Sequence, residues 1–87
     1  MTDAPQIQTM YDKPRDVLYL SFGAPQKAWT MTDDEDERIN WRYAMVDDHL
    51  CGVTILDYSI WCRTKLLARL ATVAPIPTDA LPDLETQ

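Results

Sequence analysis

One histidine, two cysteines and eight basic residues are all that this chain brings to three kinds of chemistry. A zinc site or a catalytic triad needs a histidine with fixed partners. His49 has only Asp47 and Asp48 beside it, in the same short turn, and reads as a turn residue. Cys51 and Cys62 have neither metal-ligand spacing nor a disulfide framework. They read as free thiols acting as small buried apolar residues. Eight Lys and Arg stand against fourteen Asp and Glu, a net charge of −6, which opposes binding to nucleic acid or an anionic membrane surface. No apolar run approaches the roughly 18 residues of a bilayer-spanning helix. The start, Met1-Thr2-Asp3-Ala4-Pro5, has neither the basic residues nor the apolar run of a signal peptide. The expected compartment is therefore a reducing cytoplasm. No motif asks for a cofactor.

What is present is enough for one small domain. Of the 87 residues, 46% are apolar, and three Trp, four Tyr and one Phe can anchor a core. Residues 7–11 and 17–22 read as strands around the turn Asp12-Lys13-Pro14-Arg15-Asp16, where proline fixes φ and the aspartates bond nearby backbone. Residues 27–32 form a weaker strand near an edge. Residues 39–46 alternate clearly: Ile39, Trp41, Tyr43 and Met45 lie on one face, Asn40, Arg42, Ala44 and Val46 on the other. Residues 51–58 make another strand, in which Gly52 marks a bulge or a close backbone approach.

After Ser59 the period changes. Ile60, Leu66, Leu67, Leu70, Val73 and Ala74 fall on one helical stripe, with Thr64, Lys65, Arg69 and Thr72 opposite. Asp57 or Ser59 is the expected N-cap and Pro75 the stop. The pattern predicts an α+β domain: an antiparallel β-meander of four to five strands followed by one C-terminal helix. Residues 1–6 are expected to be flexible, 7–74 to form the domain, and 75–87 to be a loosely packed Pro-rich acidic tail.

Two segments carry a family resemblance. Tyr11-Asp12-Lys13-Pro14-Arg15-Asp16-Val17-Leu18-Tyr19-Leu20 resembles the opening of a small bacterial family, domain of unknown function 2283. Gly52-Val53-Thr54-Ile55-Leu56-Asp57-Tyr58-Ser59 is similar to its closing strand. The dense acidic run, His49 in its turn and the Pro-rich tail depart from the family pattern. The resemblance implies the fold, and by association an antitoxin-like or partner-binding role.

Asp12 and Asp16 read as turn caps; as paired carboxylates they could serve, with His49, a small hydrolase or metal-dependent enzyme. Asp33, Asp34, Glu35, Asp36 and Glu37 form a solvated loop or a docking patch for a basic partner. They do not fit a Ca²⁺ loop, since its sixth and twelfth positions, counted from Asp33, are Arg38 and Ala44 in place of Gly and Glu. Arg63, Lys65 and Arg69 give the helix a basic face, either paired with local carboxylates or open to a partner. Strands 17–22 and 53–58 are apolar on both sides, and one helix covers only one side of a sheet. The other side is expected to be covered by a second copy or another protein, with Trp41 and Tyr43 as anchors. The expected function is that of a non-enzymatic protein-interaction module. The enzyme and a purely structural homo-oligomer are its alternatives.

Overall fold

Alternating, β-branched and aromatic segments separated by Asp-rich turns give five strands: β1 (Ile7–Asp12), β2 (Val17–Phe22), β3 (Ala28–Thr32), β4 (Ile39–Ala44) and β5 (Leu50–Leu56). They come from a computed structural model that describes residues 7–23, 26–74 and 76–82. The expectation of a flexible segment at 1–6 lies outside the described residues. All four pairings are antiparallel, and one helix, α1 (Arg63–Leu70), follows the sheet, so the α+β architecture is as the pattern predicts. The order is β1-β2-β5-β4-β3. Strands β3, β4 and β5 form a meander, the hairpin β1–β2 lies along β5, and β1 and β3 are the edges.

The register sorts the side chains into two unlike faces, because directly paired residues share a side. On one face run the rows Tyr11–Leu18–Ile55–Ile39 and Thr9–Leu20–Val53–Trp41–Met31. Leu18, Leu20, Ile39, Val53 and Ile55 are wholly buried there with Leu66 and Leu70 of α1. Each such side chain contributes about 1.5–3 kcal/mol relative to exposure. The opposite face carries Met10–Tyr19–Thr54–Asn40–Thr32 and Gln8–Ser21–Gly52–Arg42–Thr30. That face is mostly polar, which corrects the picture of a two-sided apolar sheet. The apolar residues of β2 on that side, Val17 and Tyr19, have Asp12, Leu56, Met10 and Thr54 as paired neighbours, a small apolar corner rather than a second apolar layer.

Two expectations about the C-terminal half are corrected. The helix has eight residues rather than about fifteen. Asp57 is left-handed (φ 55°), residues Tyr58–Ile60 form a 3₁₀ turn, and Cys62 rather than Ser59 or Asp57 precedes the helix. The cause is Asp16, which holds Ser59 through its N–H (2.9 Å) and its hydroxyl (2.5 Å). Ser59 is thereby committed to the sheet and cannot cap a helix. Ile60 and Val73 lie off the apolar stripe, 71% and 46% exposed.

The described part of the tail also differs from expectation; the expectation for residues 75 and 83–87 lies outside the described residues. Residues 76–82 lie on the apolar face as a strap, with Ala80 and Leu81 buried in the same core cluster. Thr9 donates its hydroxyl to Ala80 O (3.0 Å) and Tyr58 donates its own to Pro82 O. Geometry demands this cover. Five strands at about 4.8 Å spacing span about 19 Å, and eight helical residues are only about 12 Å long.

Gly52 does both things the sequence suggests. Arg42 pairs with Gly52 and Tyr43 with Leu50, so Cys51 is the extra residue of a β-bulge. The Arg42 guanidinium crosses Gly52 to donate to Leu20 O (2.8 Å) and Ser21 Oγ (3.2 Å). A Cβ at position 52 would sit 2.7 Å from Leu20 O and inside the guanidinium. Gly52→Ala should therefore lower stability by about 1–3 kcal/mol. Urea unfolding should show a lower midpoint with an unchanged slope.

Candidate functional site

At one end of the molecule the acidic loop closes on the chain itself. Asp33 accepts the Trp41 indole N–H (2.9 Å), the Arg69 guanidinium (2.5 Å) and the backbone N–H groups of Glu35 (3.1 Å) and Asp36 (3.2 Å). Its side chain is 5% exposed. Burial alone would raise its pKa; Arg69, Trp41 and the Glu35 N–H outweigh that and leave the carboxyl below the usual range. Arg69 also pairs with Glu35. Asp36 takes the Arg38 guanidinium in a two-point pair (3.0 and 2.8 Å), and Arg38 lies 4.1 Å over the Trp61 ring. Of the five acidic residues, Asp34 and Glu37 have no bond of this kind and are exposed. The loop expected to be solvated or free for a basic partner is exposed at Asp34, Glu35 and Glu37, while Asp33 and Asp36 are drawn into an internal clamp.

The same contacts rearrange the candidate interface. Trp41 is 3% exposed, in the core, and cannot anchor a surface contact. Sequence places it on the right face, but that face is the one α1 covers. Tyr43 is half-buried. Of the basic helix residues, Arg69 is spent on Asp33 and Glu35, Arg63 is half-buried, and Lys65 is exposed.

At the other end of the helix, Asp16 is left-handed (φ 58°) and accepts from Tyr11 OH (2.5 Å) as well as Ser59. Burial opposes its ionisation, and the Ser59 and Tyr11 hydrogen bonds overcome that, so its pKa lies below the usual range. The hydrogen bond to Asp16, then burial, push the Tyr11 phenol up to about 12. Asp16 is thus a tertiary tie as well as a turn residue, and both its oxygens are occupied. Asp12 faces Arg15 at 3.8 Å. His49 lies at the start of β5 and Asp16 beside its end. Seven residues of strand, roughly 20 Å, separate them. Asp12, Asp16 and His49 do not form one site.

His49 belongs to a different neighbourhood. Its Nδ1 meets Asp47, whose pKa is lowered first by that hydrogen bond, and its Nε2 lies 3.3 Å from Gln26 Nε2. Beside it the cross-strand pair Trp29 and Tyr43 stacks, with centroids 4.9 Å apart and planes at 27°. The Trp29 indole donates to Asp48 (2.8 Å). The β4–β5 turn itself presents Met45 and Val46, 64% and 82% exposed. Sequence alternation absorbed Met45 and Val46 into a strand and so missed this surface. The signal was that the turn begins two residues earlier than its aspartates.

Among the described residues, no group of three or more His, Cys, Asp and Glu converges as a metal site, and no helix is long and apolar enough to cross a membrane. Both cysteines are free; Cys51 is buried, but Cys62, expected to be buried, is exposed at the start of α1. No family model, curated protein or solved structure matches the chain.

Two predictions follow from this geometry. A carboxyl depressed in the folded state stabilises the fold above its unfolded pKa, near 4, and loses that contribution as pH falls through its folded value. Asp33→Asn should lower neutral-pH stability by about 1–3 kcal/mol and flatten the fall in stability seen in acid titration of the wild type. Separately, the backbone N–H groups of Lys65 and Thr64 hold the Cys62 thiol below its ordinary pKa. Iodoacetamide should label Cys62 in the native protein and Cys51 only after denaturation, read by peptide mass spectrometry.

Proposed function

We propose that this chain is a non-enzymatic protein-interaction module, and that the β4–β5 turn end of the sheet is its contact surface. One observation carries the reading. Met45 and Val46, 64% and 82% exposed, lie on the turn whose Asp48 accepts the indole N–H of Trp29, the half-buried partner of Tyr43, and are followed in sequence by Asp47 and Asp48. Exposed aliphatic and aromatic groups with an acidic rim suit a partner that offers an apolar hollow edged by Lys or Arg. A net charge of −6 steers such a partner in and repels nucleic acid. Binding of a basic protein in an antitoxin-like or regulatory manner is the form that the family resemblance adds. Free thiols suit a reducing compartment such as the cytoplasm.

Self-association through the polar sheet face is the weaker reading, because Arg42, Asn40, Thr30, Thr32 and Thr54 dominate it and Trp41 is committed to the core. Among the described residues, Asp12, Asp16 and His49 do not converge to support a catalytic reading. The test is a photo-crosslinking side chain at position 46, used in cells of the native source. A basic protein captured at 46, and not from a control probe at Lys65, supports the reading. Its Kd should rise at least about tenfold in the exposed-turn variant Met45→Asp/Val46→Asp and weaken with added salt. Equal capture from both probes, or affinity unchanged in the double variant, would refute the turn as the contact surface.

A further inference from the structure

The molecule holds one arginine between an indole and a carboxylate, and offers the same two parts again without the arginine. Arg38 lies 4.1 Å over the Trp61 ring while Asp36 takes its guanidinium at 3.0 and 2.8 Å. The ring face attracts the cation through its quadrupole, and the carboxylate fixes it by two-point bonding. Trp29 and Asp48 repeat this pair beyond the other end of β4. The Trp29 indole donates to Asp48 Oδ1 (2.8 Å), which sets that carboxylate at the edge of the ring. Tyr43 stacks on the ring from β4, with centroids 4.9 Å apart. Strand β3 is the edge of the sheet, so no strand stands on the ring's other side. Among the described residues no cation lies over Trp29, and none pairs with Asp48. Asp47, beside it, meets His49 instead. Lys27, two residues before Trp29, is exposed and makes no ion pair.

We propose that Trp29 and Asp48 form a docking site for an arginine side chain of the protein partner. Its guanidinium stacks on the outer indole face and bonds the Asp48 carboxylate. This rests on the turn as contact surface and names the side chain that the partner brings to it. Arginine is selected over lysine by shape. A planar guanidinium stacks on a ring and bonds a carboxylate in one pose, as Arg38 does, whereas an ammonium is a strongly hydrated point charge. Charge selects the cation: Asp48 is exposed, its second oxygen accepts no hydrogen bond from the described residues, and the whole chain carries −6. The site is also prepared in advance. Tyr43 backs the indole and the bond to Asp48 holds its orientation, so little side-chain freedom is lost on binding. Met45 and Val46, exposed on the same turn, offer apolar contact to the residues around that arginine.

The test titrates the full chain with N-acetyl-arginine N-methylamide at constant ionic strength, with the lysine and citrulline analogues as controls. The indole N–H resonances of Trp29, Trp41 and Trp61 are followed by NMR. Arginine should shift the Trp29 resonance along a saturable curve in the millimolar range. Lysine should shift it at least about threefold less at equal concentration, and citrulline, which keeps the shape without the charge, less still. Trp41 lies in the core and Trp61 already carries Arg38, so both resonances should stay in place. Asp48→Asn keeps an acceptor for the indole and tolerates the left-handed backbone at that position (φ 60°). It should weaken arginine binding at least about threefold. No shift at Trp29, an equal shift with lysine, or unchanged arginine binding in Asp48→Asn would overturn the proposal. The three wild-type titrations decide the matter even if Asp48→Asn disturbs the turn. A partner captured at position 46 whose Kd ignores Asp48→Asn would sink the arginine site and leave the turn surface standing. Arginine binding at Trp29 without capture at 46 would do the reverse.

Discussion

An apolar sheet face about 19 Å wide and a helix only eight residues long set the terms of this fold. The helix lies toward the β3–β4 loop, where Arg69 meets Asp33 and Glu35. The strap lies toward β1, where Thr9 meets Ala80. Neither alone keeps water from Leu18, Leu20, Val53 and Ile55. In a chain of 87 residues, which buries a modest share of its surface, a shortfall in cover cannot be absorbed elsewhere. The strap's Leu81 is therefore core, although it follows two prolines and sits in an acidic segment.

Two carboxylates fix where the cover sits. Asp33 joins β4, its own loop and α1; Asp16 joins β1, the β1–β2 turn and the residues after β5. Each accepts several donors, so each is more stable ionised despite its burial. Between these two ties the chain from Ser59 to Arg69 is held at both ends. That is why the helix starts late and ends early: its length is what remains after both ends are anchored.

The strands were legible because their cause is local. Alternation places Ile39 and Trp41 on one face whatever the rest of the chain does, and Gly52 announces its close approach within its own strand. The helix ends were not legible, because Ser59 is withdrawn from capping by a residue 43 positions away. The acidic loop was misread for the same reason. Five consecutive acids look solvated until Arg38 and Arg69 are seen to neutralise three of them. The strap has too few apolar residues, Ile76, Ala80 and Leu81, to show any period. What makes it core is the unfilled area of the sheet, which no local window contains.

The ion pairing of Asp33, Glu35 and Asp36 with Arg69 and Arg38 has a consequence for recognition. Charge that is paired inside the molecule does little to attract a partner, because an oppositely charged neighbour already cancels its field. The acidic character felt outside comes from the residues left over. Among them, Asp34 and Glu37 remain on the loop, and Asp47 and Asp48 on the β4–β5 turn. Of these two places only the turn also exposes apolar side chains, Met45 and Val46. Charge brings a basic partner close, but buried apolar area supplies most of the affinity. A surface that has the first without the second makes encounters, and one that has both makes complexes. The turn is a place on this fold where the two coincide.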